Sequence, residues 1–194
     1  MIDPDAGFAY LEDTEALRES KVMAVRKIIT PPNPLLKQPS LKVTEVDDRI
    51  RALVQDMFDT MYDAPGIGLA AVQIGEPLAV IVMDTAGKDE DPRPLALVNP
   101  EVVWASEEMH EYEEGCLSVP DIYDKVVRPA EVVVRYLDLD GNAQERTFKG
   151  LDATCVQHEI DHTKGILFID HLGRLKRERY LKKVIKKARQ MQEA

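Results

Sequence analysis

The hexapeptide Gln157-His158-Glu159-Ile160-Asp161-His162 constrains this chain most. Two histidines four apart lie on one face of a helix, one turn from each other. That spacing lets both imidazoles reach one metal ion. Glu159 sits beside the first histidine and can reach a metal-bound water without being a ligand itself. The grammar is that of a helical H-E-x-x-H metal hydrolase site. The rest of the chain must therefore hold this helix and supply what completes the site.

The 194 residues are 44% hydrophobic, enough for the core of one domain. No apolar run approaches the ~20 residues that a membrane helix needs. Met1 to Arg18 lacks the basic start and apolar stretch of a signal peptide. Cys116 and Cys155 are the only cysteines, too few for a disulfide framework, so the expected compartment is the reducing cytoplasm. Gly173 to Ala194 carries nine Lys/Arg against two Asp/Glu, on a chain whose formal charge is −10. An acidic body argues against DNA as a partner, whereas the basic tail can dock on RNA or an acidic surface. No membrane partner is expected.

Residues 1–22 read as an N-terminal extension or leader, with sparse helical signal over Leu11 to Glu19 and Met23 as an alternative start. Residues 23–194 read as a single catalytic domain ending in the basic helix. Val25 to Ile29 has strand composition, and the proline-rich Thr30 to Pro34 breaks it. Thr44 is the expected cap of a helix over Glu45 to Tyr62, whose apolar stripe runs from Val46 through Met61. Pro65 to Gln73 combines glycines and small residues that permit close backbone approach, with Gln73 as a carboxamide donor. Strands are expected at Leu78–Met83, Leu95–Val98, Val102–Trp104, Val126–Val127, Glu131–Leu137 and Ala143–Phe148. Asp140-Gly141 turns the last hairpin. Glu113 to Pro120 reads as a loop. The helix of Gly150 to Lys164 has Asp152 as candidate cap and Gly165 as its stop. A last helix spans Gly173 to Gln190. The fold class is α+β, with mixed, mainly antiparallel sheets around a central metal-binding helix and a helix at the C-terminus.

Two histidines leave a catalytic metal short of a third ligand. A third histidine in the x-x-Gly-x-x-His pattern fails, because position 168 is Phe168. Glu178 lies in a strongly basic helix and suits the role poorly. Cys155 shares the helix but sits about 10.5 Å along the axis from His162, so it reads as a buried small hydrophobe. Cys116, after a glycine, is the better ligand. His110 and His171 read as ordinary packed or surface histidines. Asp161 either orients a ligand histidine or supports packing.

Three stretches together resemble the peptide deformylase family: Gly66-Ile67-Gly68-Leu69-Ala70-Ala71-Val72-Gln73, Glu114-Gly115-Cys116-Leu117-Ser118 and Gln157 to His162. Their order and spacing match, and the resemblance runs from about Met23 to the C-terminal helix. It implies an α+β cytosolic enzyme that removes the N-formyl group from nascent polypeptides beginning with formyl-methionine. It also implies one Fe(II) ion per chain, with Zn(II) or Ni(II) in isolated protein. Cys116, His158 and His162 are then the metal ligands, Glu159 the catalytic acid/base, and Gln73 with the Leu117 N–H the oxyanion donors. Ile67, Gly68 and Cys155 are the expected substrate-binding residues. Many bacterial members carry arginine a few residues past the Cys-Leu-Ser motif, where this chain reads Pro120-Asp121-Ile122-Tyr123.

In that reading a metal-bound hydroxide attacks the formyl carbon, and Glu159 passes its proton to the departing amine. Lys176, Arg177, Arg179, Lys182, Lys183, Lys186, Lys187 and Arg189 crowd the last helix, and the resemblance suggests docking to ribosomal RNA. The rivals are a peptidase using the same metal chemistry and a non-catalytic redox sensor built on Cys116.

Overall fold

A computed structural model describes residues 25–193. The extension at 1–22, with its candidate helix at Leu11 to Glu19, lies outside the described residues. Three α-helices and seven strands follow: α1 (Asp48–Asp63), β1 (Gly68–Ala70), β2 (Val80–Met83), β3 (Leu95–Ala105), β4 (Met109–Cys116), β5 (Val119–Pro129), β6 (Glu131–Leu137), β7 (Ala143–Lys149), α2 (Gly150–Thr163) and α3 (Arg174–Glu193). The sheets are a five-stranded one in the order β1-β2-β3-β6-β7 and a two-stranded β4-β5 ribbon. All paired strands are antiparallel.

The larger sheet lies between two helices. In β2, Val80 and Val82 pack with Ile50, Leu53, Val54, Met57 and Met61 of α1. Ile81 and Met83 face the other way, toward Ala153, Val156 and Ile160 of α2. Period-two alternation thus feeds both cores, and all four residues of β2 are buried. Met57 and Met61 are fully buried, each worth about 1.5–3 kcal/mol of apolar burial. In α2, every residue from Ala153 to Ile160 is buried. That helix is enclosed on all sides, so its polar groups must find partners inside the protein. A third core joins Val119, Ile122 and Val126 of β5 to Leu167, Phe168, Ile169 and Val184.

Several expectations need correction. The cap of α1 is Asp47, whose carboxylate accepts from the Ile50 N–H, and not Thr44. Val43 just before is clamped by both ends of the Asn99 carboxamide, which keeps this stretch out of the helix. Val25–Ile29 forms no strand. Its backbone makes isolated bonds, Arg26 N–H to the Thr60 hydroxyl and Ile29 N–H to the Gln73 carbonyl, and no ladder. Leu95–Val98 and Val102–Trp104 are one strand, with a register shift around Asn99-Pro100 that absorbs the missing donor. The expected loop at Glu113–Pro120 is mostly strand, because β4 and β5 form a hairpin with one wet face. Its glutamates hid the alternation. At the start of α2, Lys149 holds the cap position, and Asp152 bonds the Thr85 hydroxyl from the first turn. Gly165 ends α2 as expected. Its φ is +74°, and a Cβ there would lie 2.7 Å from the Lys37 backbone.

Candidate active site and metal centre

Gly115 and Cys116 close β4, and the turn Leu117-Ser118 leads into β5. This hairpin end faces α2. The Cys116 Sγ lies 3.3 Å from His162 Nε2, and the ligand atoms of Cys116, His158 and His162 all lie within 4.8 Å of one another. One soft thiolate and two imidazoles at that separation suit a single transition-metal ion. The His162 Nδ1 is buried without a partner. Burial pushes the His162 pKa well below its ordinary value, so the ring is neutral and free to coordinate.

His158 is oriented from behind. Its Nδ1–H donates to Glu114 Oε2 at 2.7 Å, leaving Nε2 for the metal side. Glu114 also accepts from Arg128 at 2.6 and 3.1 Å, a bidentate pair in which both side chains are about 5% exposed. Arg128 reaches on to Asp161 at 2.8 Å, and Asp161 accepts from His171 at 2.7 Å. Burial opposes charge on Glu114, yet the bonds from His158 and Arg128 hold its carboxyl below the ordinary range. Sequence reasoning missed this chain of contacts. Glu114 and Cys116 are two apart, so they share one face of a strand. Reading the segment as a loop concealed that signal. Asp161 touches neither candidate ligand histidine and acts on the far side of Arg128.

Glu159 is buried, and its Oε2 has no partner. Burial raises its pKa to about 7. Gly68 passes over it so closely that a Cβ there would lie 2.9 Å from Cys155 Sγ and nearer still to Glu159 Oε1. Gln73 is held by its own backbone: the Ala70 N–H donates to Oε1 at 2.7 Å, so Nε2 points toward Ser118 at 3.2 Å and Cys116 at 3.6 Å. Cys155 donates to the Ile67 carbonyl at 3.4 Å.

A cavity of about 410 Å³ opens over these groups. Ile67, Gly68, Gln73, Cys116, Leu117, Cys155, His158 and Glu159 line it, while His162 lies beneath, 1% exposed. Every site residue expected from sequence is thus in one place. Glu178 bonds Arg174 at the surface, and His110 bonds Thr154. Phe168 stacks on His158 with ring centroids 6.1 Å apart. Changing Cys116 to alanine should abolish stoichiometric metal binding, measured by metal analysis after dialysis, whereas Cys155→Ala should retain it. The opposite pattern would make Cys155 the ligand.

The family model described as polypeptide deformylase matches residues 25–178. A peptide deformylase from Phenylobacterium zucineum is 58% identical over 167 residues, covering 86% of this chain and 99% of that protein. One from Caulobacter sp. strain K31 is 58% identical over 171 residues, covering 86% and 98%. Among solved structures, a peptide deformylase from Legionella pneumophila superposes with a TM-score of 0.80 at 45% identity, covering 88% of this chain and 99% of that one. The Ehrlichia chaffeensis enzyme in complex with actinonin gives 0.81 at 42% identity, covering 85% and 98%. Likeness of this extent, in sequence and in backbone, places the chain in the polypeptide deformylase family.

Proposed function

We propose that the chain removes the formyl group from the N-terminal formyl-methionine of nascent polypeptides, with Cys116, His158 and His162 holding one Fe(II) ion. The observation that carries this reading is the unpartnered Glu159 Oε2, buried beside the Cys/His/His group on the floor of the cavity. An ion bound there polarises a carbonyl oxygen and acidifies a water molecule. Glu159 takes the proton from the attacking water at its free oxygen and returns it to the departing amine nitrogen. Gln73 Nε2–H and the Leu117 backbone N–H hold the carbonyl oxygen as negative charge develops on it. The Ala70 bond fixes the Gln73 carboxamide beforehand, so little reorganisation is needed at the moment of reaction. Ile67, Gly68 and Cys155 shape the strand-like edge along which the peptide lies. The C–N bond of the formamide breaks, and formate and a free amino terminus leave.

The test is formate release from formyl-Met-Ala-Ser beside Met-Ala-Ser, with anaerobically prepared protein of known metal content. Formate from the first peptide alone, abolished by chelation and restored by Fe(II), is the expected result. Cleavage of the unformylated peptide would make the chain a peptidase, and full occupancy without turnover would favour the sensor reading. All site residues lie between 67 and 162, and the family match begins at residue 25. We therefore expect a chain starting at Met23 to match the full chain in this assay. A reducing cytoplasm suits the Cys116 thiolate. Among the described residues no helix is long and apolar enough to cross a membrane.

The basic helix supports a second element of the proposal, docking on ribosomal RNA. The fold divides its cations between two faces. Lys176, Lys183 and Lys187 turn inward to Asp121 and Asp124 of β5. Arg179, Lys182, Lys186 and Arg189 recur at helical spacing on the exposed face and form no ion pair among the described residues. Reversing these four charges should abolish salt-sensitive co-sedimentation with ribosomes while formate release persists. Binding that ignores salt or the reversal would remove this face from the interaction.

A further inference from the structure

The ribbon β4-β5 carries an irregularity at the mouth of the cavity. Gly115 pairs with Tyr123, but Cys116 pairs with Val119. One step along β4 therefore spans four along β5, and Pro120-Asp121-Ile122 form a bulge without partners in β4, with Asp121 exposed and Ile122 buried. Asp121, at the crest, has a φ of +59°. The bulge and Tyr123 together form one wall of the cavity. Bulges beside a site re-aim side chains, but only a bulge held in place can do so reproducibly.

The hold comes from α3. Tyr180 and Leu181 pack, with the buried Val184, against the cluster that contains Val119 and Ile122. Two acids, Asp121 within the bulge and Asp124 just after it, reach the helix. Asp121 pairs with Lys187, but their side chains are 65% and 44% exposed, and such a pair contributes little and is screened by salt. Asp124 is different. Its side chain is 11% exposed, and it accepts from the Tyr180 hydroxyl at 2.9 Å and from Lys176 at 3.0 Å. Lys176 is itself 54% exposed, so the anchor rests mainly on the charge-assisted bond from the part-buried Tyr180 hydroxyl. On the other side, one edge of the Tyr123 ring lies against Gly115, where a Cβ would meet Cε1 at 2.5 Å and Cδ1 at 2.7 Å, while the residue as a whole is 67% exposed. The wall is therefore clamped between Gly115 in front and α3 behind.

We propose that Tyr180 and Asp124 are positioning residues, through which the C-terminal helix sets the wall that holds the peptide portion of the substrate. The inference rests on the deformylase reading for what the wall contacts. Neither residue touches the metal group or Glu159, so their loss acts on binding of the chain beyond the first residue and not on bond breaking.

The test uses the full, metal-loaded chain with Tyr180→Phe, which keeps the ring packing and removes one bond, and Asp124→Asn as a second variant. In each, KM for formyl-Met-Ala-Ser should rise roughly three- to tenfold, the effect of one lost hydrogen bond. The kcat value and kcat/KM for formyl-Met, which lacks the peptide portion, should stay within about twofold. Amide exchange at Asp121 to Asp124 should quicken. An equal rise in KM for both substrates, or unchanged exchange in this segment with only a lower Tm, would overturn the proposal by reducing the anchor to general stability. If the parent chain releases no formate, the deformylase reading fails, and the exchange measurement still decides whether α3 holds the wall.

Discussion

Replacing Glu159 by glutamine should leave one metal ion per chain and lower kcat for formyl-Met-Ala-Ser by about 10²–10⁴-fold, the usual share of a general acid–base group. A thousandfold loss corresponds to about 4 kcal/mol of transition-state stabilisation. The isosteric change suits the site. Glu159 Oε2 makes no bond within the protein, so the fold loses no partner, and the added amide cannot accept a proton. Alanine would be a poorer probe, because it would open space beneath Gly68 and beside Cys155. The loss should fall on kcat with KM nearly unchanged, since the carboxylate acts on the water and the leaving nitrogen and not on the bound peptide. Activity near the parent level, with metal in place, would remove Glu159 from the mechanism and leave its burial without a catalytic reason.

What the sequence revealed and what it concealed follow the range of the contacts involved. The helical H-E-x-x-H spacing is local, and α2 forms where expected. Axial distance argues against Cys155, and the glycine before Cys116 together with the Glu114-Gly115-Cys116-Leu117-Ser118 motif favours Cys116. The structure places Cys116 against His162 and turns Cys155 toward the Ile67 carbonyl. Other features depend on chain segments far apart. Glu114 is 44 residues from His158 and 14 from Arg128, and nothing in the local pattern around either residue announces their bond. Strand β4 escaped notice, and β5 is expected only at Val126–Val127, because a strand with one face in water and rich in glutamate, as β4 is, lacks the β-branched signature. Thr44 and Asp47 are both good caps by residue type. The choice fell to Asp47 because Asn99, more than fifty residues on, holds Val43 in an extended segment.

Arg128 is the residue whose loss should damage the fold most. Changing it to methionine should lower stability by about 3–5 kcal/mol, the usual effect of breaking a buried ion pair by removing one partner. For a chain of this size that is a fall in Tm of roughly 6–20 °C. The size follows from what remains: Glu114, 4% exposed at its side chain, and Asp161, 14% exposed, would both stay buried without the cation between them. His158 and His171 can each compensate one carboxylate only in part. The damage should reach the metal, because Glu114 would be free to shift and His158 would lose its fixed orientation. A 10–100-fold weaker metal affinity is the expected scale for losing such support. Adding Glu114→Gln to the methionine variant should recover part of the stability, since the amide oxygen can still accept from His158 Nδ1 without a buried negative charge. The two changes should therefore be strongly non-additive. Denaturant unfolding of the metal-free single and double variants measures this directly. A single variant within about 1 kcal/mol of the parent, a loss typical of a surface pair, would show that water reaches these carboxylates and that Arg128 with Glu114 and Asp161 contributes orientation alone.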